Sequence, residues 1–177
     1  MGCPRRAWLA ILLGVAALAF VALPAVDKLA LLQAEFDRET SGVRKAKLME
    51  KLGDSQFVLT REAGKSNDYT AVDVTMEKYR DNVRVASEAI EKETPDGERH
   101  PSGYKQLEMH VQKGLRQVEE ILLIAPPEFK PPLQLVRQDL LTLDDKLLRS
   151  LFPRRHEKKA PAPAVPPTIP PDPEVQL

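Results

Sequence analysis

Seven apolar side chains between positions 69 and 90 recur in steps of three and four residues, and this pattern restricts the possible folds more than any other feature. They are Tyr69, Val72, Met76, Tyr79, Val83, Ala86 and Ile90. Over three heptads this spacing puts all seven on one face of a helix, as in a coiled-coil seam. Charged residues fill most of the opposite face. The seam is therefore predicted to be either core or an interaction surface.

Four further segments have helical periodicity, and no stretch shows sustained strand alternation. They are predicted at Ala25–Arg38, Val43–Ala63, from a Ser102 cap to Ala125, and Leu133–Leu151. In the second of these, the predicted inner stripe consists of Leu48, Leu52 and Leu59, with Met49 and Phe57 beside it. Because the links are short, neighbouring helices are expected to be antiparallel. The sequence predicts an all-α fold of about five helices, either an antiparallel bundle or a stack of helical hairpins.

The chain divides by composition into three parts. Residues 1–25 are predicted to be a signal peptide or membrane anchor, residues 26–152 a helical domain, and residues 153–177 a disordered tail that is first basic and then Pro-rich. Of the 16 prolines, eight lie from Pro153 onward, and none lies between Pro24 and Pro95. The central block is long enough to bury one hydrophobic core.

The N-terminus has the order of an export signal. Arg5 and Arg6 precede an unbroken apolar run of 17 residues, positions 7 to 23, which contains an A-x-A cleavage motif at 17–19. The same run could remain as a short membrane-spanning anchor. Both alternatives leave the arginines inside and export the body of the protein, which would then be periplasmic, secreted or anchored at the outer side of the membrane.

The segment Gly64-Lys65-Ser66 has the last three letters of a phosphate-binding loop. The complete motif needs another glycine at position 59, which is Leu59 here, and a strand before the loop. Gly64 instead fits the left-handed residue at a helix end, and Asn67 or Asp68 fits the cap of the next helix. The sequence therefore predicts a hinge between two helices and no nucleotide site.

The stretch around this hinge resembles the tetratricopeptide repeat family. Leu59 matches the leucine of that repeat's first helix, Tyr69 the aromatic residue after its turn, and Met76 a later large apolar position. The resemblance covers about 30 residues and implies helix-turn-helix geometry and a protein-binding role. The layout as a whole resembles exported helical proteins of bacteria, from which no function is carried over.

The composition excludes several kinds of chemistry. Lys plus Arg and Asp plus Glu are both 26, which is not the basic excess of a nucleic-acid-binding protein. The only cysteine is Cys3, so the rest of the chain has no disulfide, thiolate metal site or catalytic thiol. His100, His110 and His156 lack metal-ligand spacing and are predicted to be structural or exposed. We expect no catalytic, metal or cofactor site.

The leading functional hypothesis is an exported, non-enzymatic protein that binds or scaffolds an unknown protein partner in the cell envelope. A homo-oligomer is possible, and the membrane would be contacted through residues 7–23 if the leader is uncleaved. The alternatives are a carrier that holds an apolar ligand between its helices and an enzyme whose site is assembled from distant residues.

Overall fold

The computed structural model describes residues 23–153, with side chains from Lys28 onward. Within that range the chain forms five α-helices, a single 3-10 turn and no strand, which confirms the all-α prediction. The elements are α1 (Leu23–Arg38), α2 (Gly42–Lys65), α3 (Tyr69–Glu93), α4 (Pro101–Ile124), the 3-10 turn (Pro127–Phe129) and α5 (Lys130–Leu151). Positions 1–22 of the predicted leader (residues 1–25) and positions 154–177 of the predicted tail (residues 153–177) lie outside the described residues, whereas positions 23–25 belong to α1.

None of the described helices is both long enough and apolar enough to cross a membrane. This finding concerns residues 23–153, and the apolar run at positions 7–22 lies outside them.

The predicted hinge connects α2 and α3, but its left-handed residue is Asn67 and not Gly64. Gly64 still belongs to α2, whereas Asn67 has φ 58°. Asparagine adopts this conformation at lower cost than most residues. The Asp68 N–H donates to the Ala63 carbonyl at 2.9 Å, and the Asp68 side chain accepts from the Ala71 N–H at 3.0 Å. The turn therefore caps both helices without requiring a positive φ at the glycine.

The start of α4 also differs from the prediction, because Ser102 does not cap the helix. Pro101 occupies the first helical turn and His100 is the N-cap residue, without a side-chain capping bond. Proline suits this position because its φ is already helical and the first turn needs no backbone donor.

The helices form two antiparallel hairpins that stack on each other. In the α2–α3 hairpin the Thr60 hydroxyl lies 3.7 Å from Met76 Sδ, and in the α4–α5 hairpin Arg137 pairs with Glu119 at 2.9 Å. The contacts between α2 and α4, of which the Asp54–Lys113 ion pair is one, join residues whose numbers increase together along the two helices. These two helices are therefore parallel neighbours, and α3 and α5 are likewise parallel.

Helix α1 packs antiparallel to α2 on the side away from α5. Phe36 of α1 is buried beside Lys45 of α2, whose ammonium donates to the Phe36 carbonyl at 2.5 Å. Nearer the start of α1, Lys28 lines the same depression as Val58 of α2. The first residues of α1 therefore lie at the end of the bundle where α2 ends.

The core contains all seven side chains of the α3 seam. Their exposed fractions are 0%, apart from 8% for Tyr69. The predicted inner face of α2 is confirmed in part: Met49, Leu52 and Phe57 are in the core, whereas Leu48 and Leu59 are only partly buried. Since α2 has neighbours on three sides, its buried face is wide and includes positions that a leucine-only stripe does not mark.

Candidate functional site

Three surface depressions follow the line along which the parallel helices α2 and α4 meet, and together we call them the α2/α4 groove. Their volumes are about 560, 390 and 280 Å³, from the start of the helices to their ends. The first two share Gln106 and Met109. A hydrogen bond of 3.0 Å from Arg61 to Gln117 lies along the same line, and both residues also line the third depression.

Two apolar side chains of α4 stand out in this groove because they are exposed. Met109 is 62% exposed at the junction of the first two depressions, and Ile124 is 68% exposed in the third. Tyr69 and Val72, two members of the α3 seam, also line the third depression from below. The groove thus has apolar contact points at its middle and at its far end, where an incoming apolar side chain could pack.

The walls of the groove carry more basic than acidic side chains. The basic ones are Arg61, Lys65, Arg99, Lys105 and Lys113, and the acidic ones are Glu50 and Glu120. Lys113 is neutralised in part by Asp54, since Lys113 Nζ lies 2.6 Å from Asp54 Oδ1. Arg99 is likewise paired with Asp96, with 3.3 Å between Arg99 Nε and Asp96 Oδ2. The remaining three basic side chains outnumber the two acidic ones by one, and this small excess favours an anionic ligand, although exposed charges contribute modestly and are screened by salt.

His110 lines the middle depression and belongs to a polar cluster with the buried Tyr79 and the partly exposed Asp54. His110 is 5% exposed and Tyr79 is 0% exposed. The Tyr79 hydroxyl lies 3.0 Å from His110 Nδ1 and 2.9 Å from the His110 carbonyl oxygen. On the other side of the ring, His110 Nε2 lies 3.4 Å from Asp54 Oδ1, which is an electrostatic contact too long for a strong hydrogen bond.

This geometry determines the tautomer that we assign to His110. A carboxylate accepts hydrogen bonds and does not donate them, so the proton of a neutral ring belongs on Nε2, facing Asp54. The single Tyr79 O–H proton is then shared between two acceptors, the His110 carbonyl oxygen at 2.9 Å and His110 Nδ1 at 3.0 Å. In this arrangement the unprotonated imidazole nitrogen faces a donor inside the core.

Two glycines in the middle of helices make room for these rings. A Cβ atom on Gly53 would overlap His110 Cε1, and a Cβ atom on Gly114 would overlap the Tyr79 hydroxyl. Phe57 completes the packing, with its ring centre 5.6 Å from that of His110 and 4.8 Å from that of Tyr79. The absence of side chains at Gly53 and Gly114 therefore lets the His110 and Tyr79 rings fit between α2, α3 and α4.

Burial controls the ionisation of the cluster. It lowers the pKa of His110, an effect that the charge of Asp54 partly opposes, so the ring is neutral near pH 7. Burial also raises the pKa of Tyr79 well above its usual range, and Asp54 adds to this rise. Near pH 7 the Tyr79 hydroxyl is therefore protonated and can donate a hydrogen bond, while the His110 ring is uncharged.

The other histidines and acidic residues do not form a site with this cluster. His100 is exposed at the start of α4, and His156 lies outside the described residues. Among residues 23–153 no group of three or more His, Cys, Asp or Glu side chains is arranged to hold a metal ion. The α3 seam, predicted as core or interaction surface, lies in the interior, with only Tyr69 and Val72 reaching the groove.

Sequence patterns did not reveal the groove or the polar cluster. His110 and Tyr79 are 31 positions apart, and Met109 falls off the apolar stripe of α4. The signal that could have indicated the cluster was the pair Gly53 and Gly114. A glycine inside a helix costs stability, so it often marks a position that another group must approach closely.

Comparison with known proteins adds no relative from which a function could be transferred. No protein-family model, curated protein or solved structure matches the chain significantly.

Proposed function

We propose that this protein is an exported, non-enzymatic helical module that binds a protein partner of the cell envelope in the α2/α4 groove. The observation that supports this most directly is the alignment of three depressions along one helix seam, with Met109 62% exposed where two of them join. Methionine packs adaptably against apolar partners and is common at protein-binding surfaces. The basic N-terminus followed by an apolar run supports export.

The proposed partner is a segment that is acidic on one side and apolar on the other. An amphipathic helix or an extended strand of that kind would place apolar anchors on Met109 and Ile124, and would place acidic groups beside Lys105, Arg61 and Lys65. Such a helix-in-groove arrangement derives most of its affinity from the apolar anchors and its orientation from the charges.

The packing of the interior supports this proposal over a carrier function. Tyr79, His110 and Phe57 fill the space between α2, α3 and α4 with their rings, and each is at most 5% exposed. An apolar ligand in this place would have to displace these rings and break the Tyr79–His110 contact, at a cost of about 1–3 kcal/mol for each polar group left unpaired.

The test is site-specific photo-crosslinking in cells that naturally produce the protein. A photoreactive amino acid at Met109 is compared with one at Leu141 of α5, which is 41% exposed and lies outside the groove. We expect a crosslinked partner from position 109 only, and less of it when Lys105→Glu reverses a charge on the wall. Equal crosslinking from both positions, or none from position 109, would exclude the groove as the binding site. A product of twice the chain mass would identify a second copy as the partner.

A further inference from the structure

The first residue of α1 identifies the end of the bundle that lies nearest to the N-terminal apolar run in the sequence. Helix α1 begins at Leu23, and its residue Lys28 lies beside Val58, in the last third of α2. Five residues of helix rise about 7.5 Å, so Leu23 lies near the level of the last turn of α2. Leu23 therefore lies at the end of the bundle where α2 and α4 terminate.

Two adjacent apolar residues are exposed at this same end. Leu123 is 83% exposed and Ile124 is 68% exposed, both in the last turn of α4. Ile124 continues into the third depression of the groove, beside Gly64 and Lys65 at the end of α2. Single exposed leucines are common on protein surfaces, but this pair lies at the same end of the bundle as Leu23, the last residue of the apolar N-terminal run.

No linker separates that run from the domain. Leu23 is the last residue of the apolar run at positions 7–23, and it is also the first residue of α1. If positions 7–22 stay in a bilayer, the end of the bundle has to lie within a few residues of the lipid surface. Transfer of leucine and isoleucine side chains from water into the interfacial region between headgroups and acyl chains is favourable, because it removes their apolar surface from water.

We propose that the end of the bundle formed by the α2–α3 turn and the last turn of α4 rests on the outer surface of the membrane, with Leu123 among the lipid headgroups and Ile124 lining the third depression of the groove. This rests on the proposed export and on an uncleaved N-terminal anchor. The proposal defines the orientation of the bundle relative to the membrane. The end of α5, where Ser150 lies against Gly97, would be the opposite end, farther from the membrane. The first depression of the groove lies near that opposite end too, and a partner would reach it from the side away from the membrane.

The test uses the full chain reconstituted in lipid nanodiscs of phosphatidylcholine and phosphatidylglycerol. In a Cys3→Ser background, a fluorophore is attached to Leu123→Cys or, as a matched control, to Phe152→Cys. Phe152 is also apolar and is 52% exposed, but it follows α5 at the other end. Lipids that carry a nitroxide near the headgroup quench only nearby fluorophores.

We expect a loss of fluorescence at position 123 and none at position 152 when nitroxide lipids are included. Equal quenching at both positions would overturn the proposal, as would failure of the full chain to enter the discs. Self-quenching at position 123 in discs without nitroxide would also overturn it, because a second copy would then cover the patch. None of these outcomes affects crosslinking at Met109, so the orientation and the partner-binding proposal fail separately.

Discussion

Replacing Tyr79 with phenylalanine removes one hydroxyl group from the centre of the bundle and leaves the ring in place. That hydroxyl is fully buried and is the hydrogen-bond partner of His110 Nδ1 at 3.0 Å. In Tyr79→Phe the imidazole nitrogen has no donor, and no solvent reaches the space between α2, α3 and α4. The variant therefore tests directly whether the polar cluster stabilises the fold.

The expected cost follows from two contributions. A net hydrogen bond between neutral groups contributes about 1 kcal/mol, and a buried polar group left without a partner costs about 1–3 kcal/mol. Because these contributions overlap, we expect the free energy of unfolding to fall by about 2 kcal/mol. For a domain of this size, that corresponds to a decrease in melting temperature of roughly 6–10 °C.

The measurement is thermal and urea-induced unfolding followed by circular dichroism, with Tyr69→Phe as the control. The Tyr69 hydroxyl lies 3.5 Å from the Ile124 carbonyl oxygen, which is too long for a strong hydrogen bond, so its removal should cost less than about 0.5 kcal/mol. If Tyr79→Phe is as stable as Tyr69→Phe, the hydroxyl does not satisfy His110 and the assigned tautomer is wrong.

Three further variants test other parts of the structure. Because the folded protein lowers the pKa of His110 below its usual 6.5, the unfolded chain takes up the proton first as the pH falls. The parent should therefore lose stability below about pH 6.5, by at most about 1.4 kcal/mol per pH unit, in urea titrations at several pH values, and His110→Gln should lose less. Gly64→Ala should increase the free energy of unfolding by about 0.5–1 kcal/mol and so raise the melting temperature, because Gly64 is helical and a Cβ there meets no atom within 4 Å. An unchanged or lower melting temperature would contradict this. Val83→Asp should largely unfold the domain by circular dichroism because it buries a carboxylate, whereas Val85→Asp, on the same helix but 42% exposed, should cost less than about 1 kcal/mol.

The sequence was informative wherever one face of a helix faces the core. The α3 seam could be read from spacing alone, because α3 has a narrow buried stripe with charges opposite. Helix α2 was harder, since it buries Lys45, Gln56 and Thr60 along with its apolar residues. Hydrophobic periodicity underestimates a buried face that contains polar side chains, such as Lys45 and Thr60, which donate to backbone carbonyls.

The candidate site could not be predicted because it depends on contacts between distant positions. Nothing in the local sequence indicates that Asp54, Tyr79 and His110 meet, since their proximity follows from the parallel stacking of α2 on α4. The hinge at residues 64–68 was predictable in position, but not in detail. A single glycine suggested the left-handed residue, whereas Asn67 adopts that conformation because Asp68 caps the next helix.

The polar cluster gives α2 and α4 one axial register, and this register determines the groove. Apolar side chains at helical spacing can interdigitate in more than one register, because a shift of one turn, about 5.4 Å, replaces one apolar contact with another. The cluster does not allow that shift. Moving α4 by one turn would separate His110 from Asp54 and would bring a residue with a side chain to the place that Gly114 keeps open for Tyr79. Because Met109 and Lys105 are on the same helix as His110, their positions opposite α2 depend on this register. A change that weakens the Tyr79–His110 contact should therefore affect the shape of the groove as well as the stability of the fold.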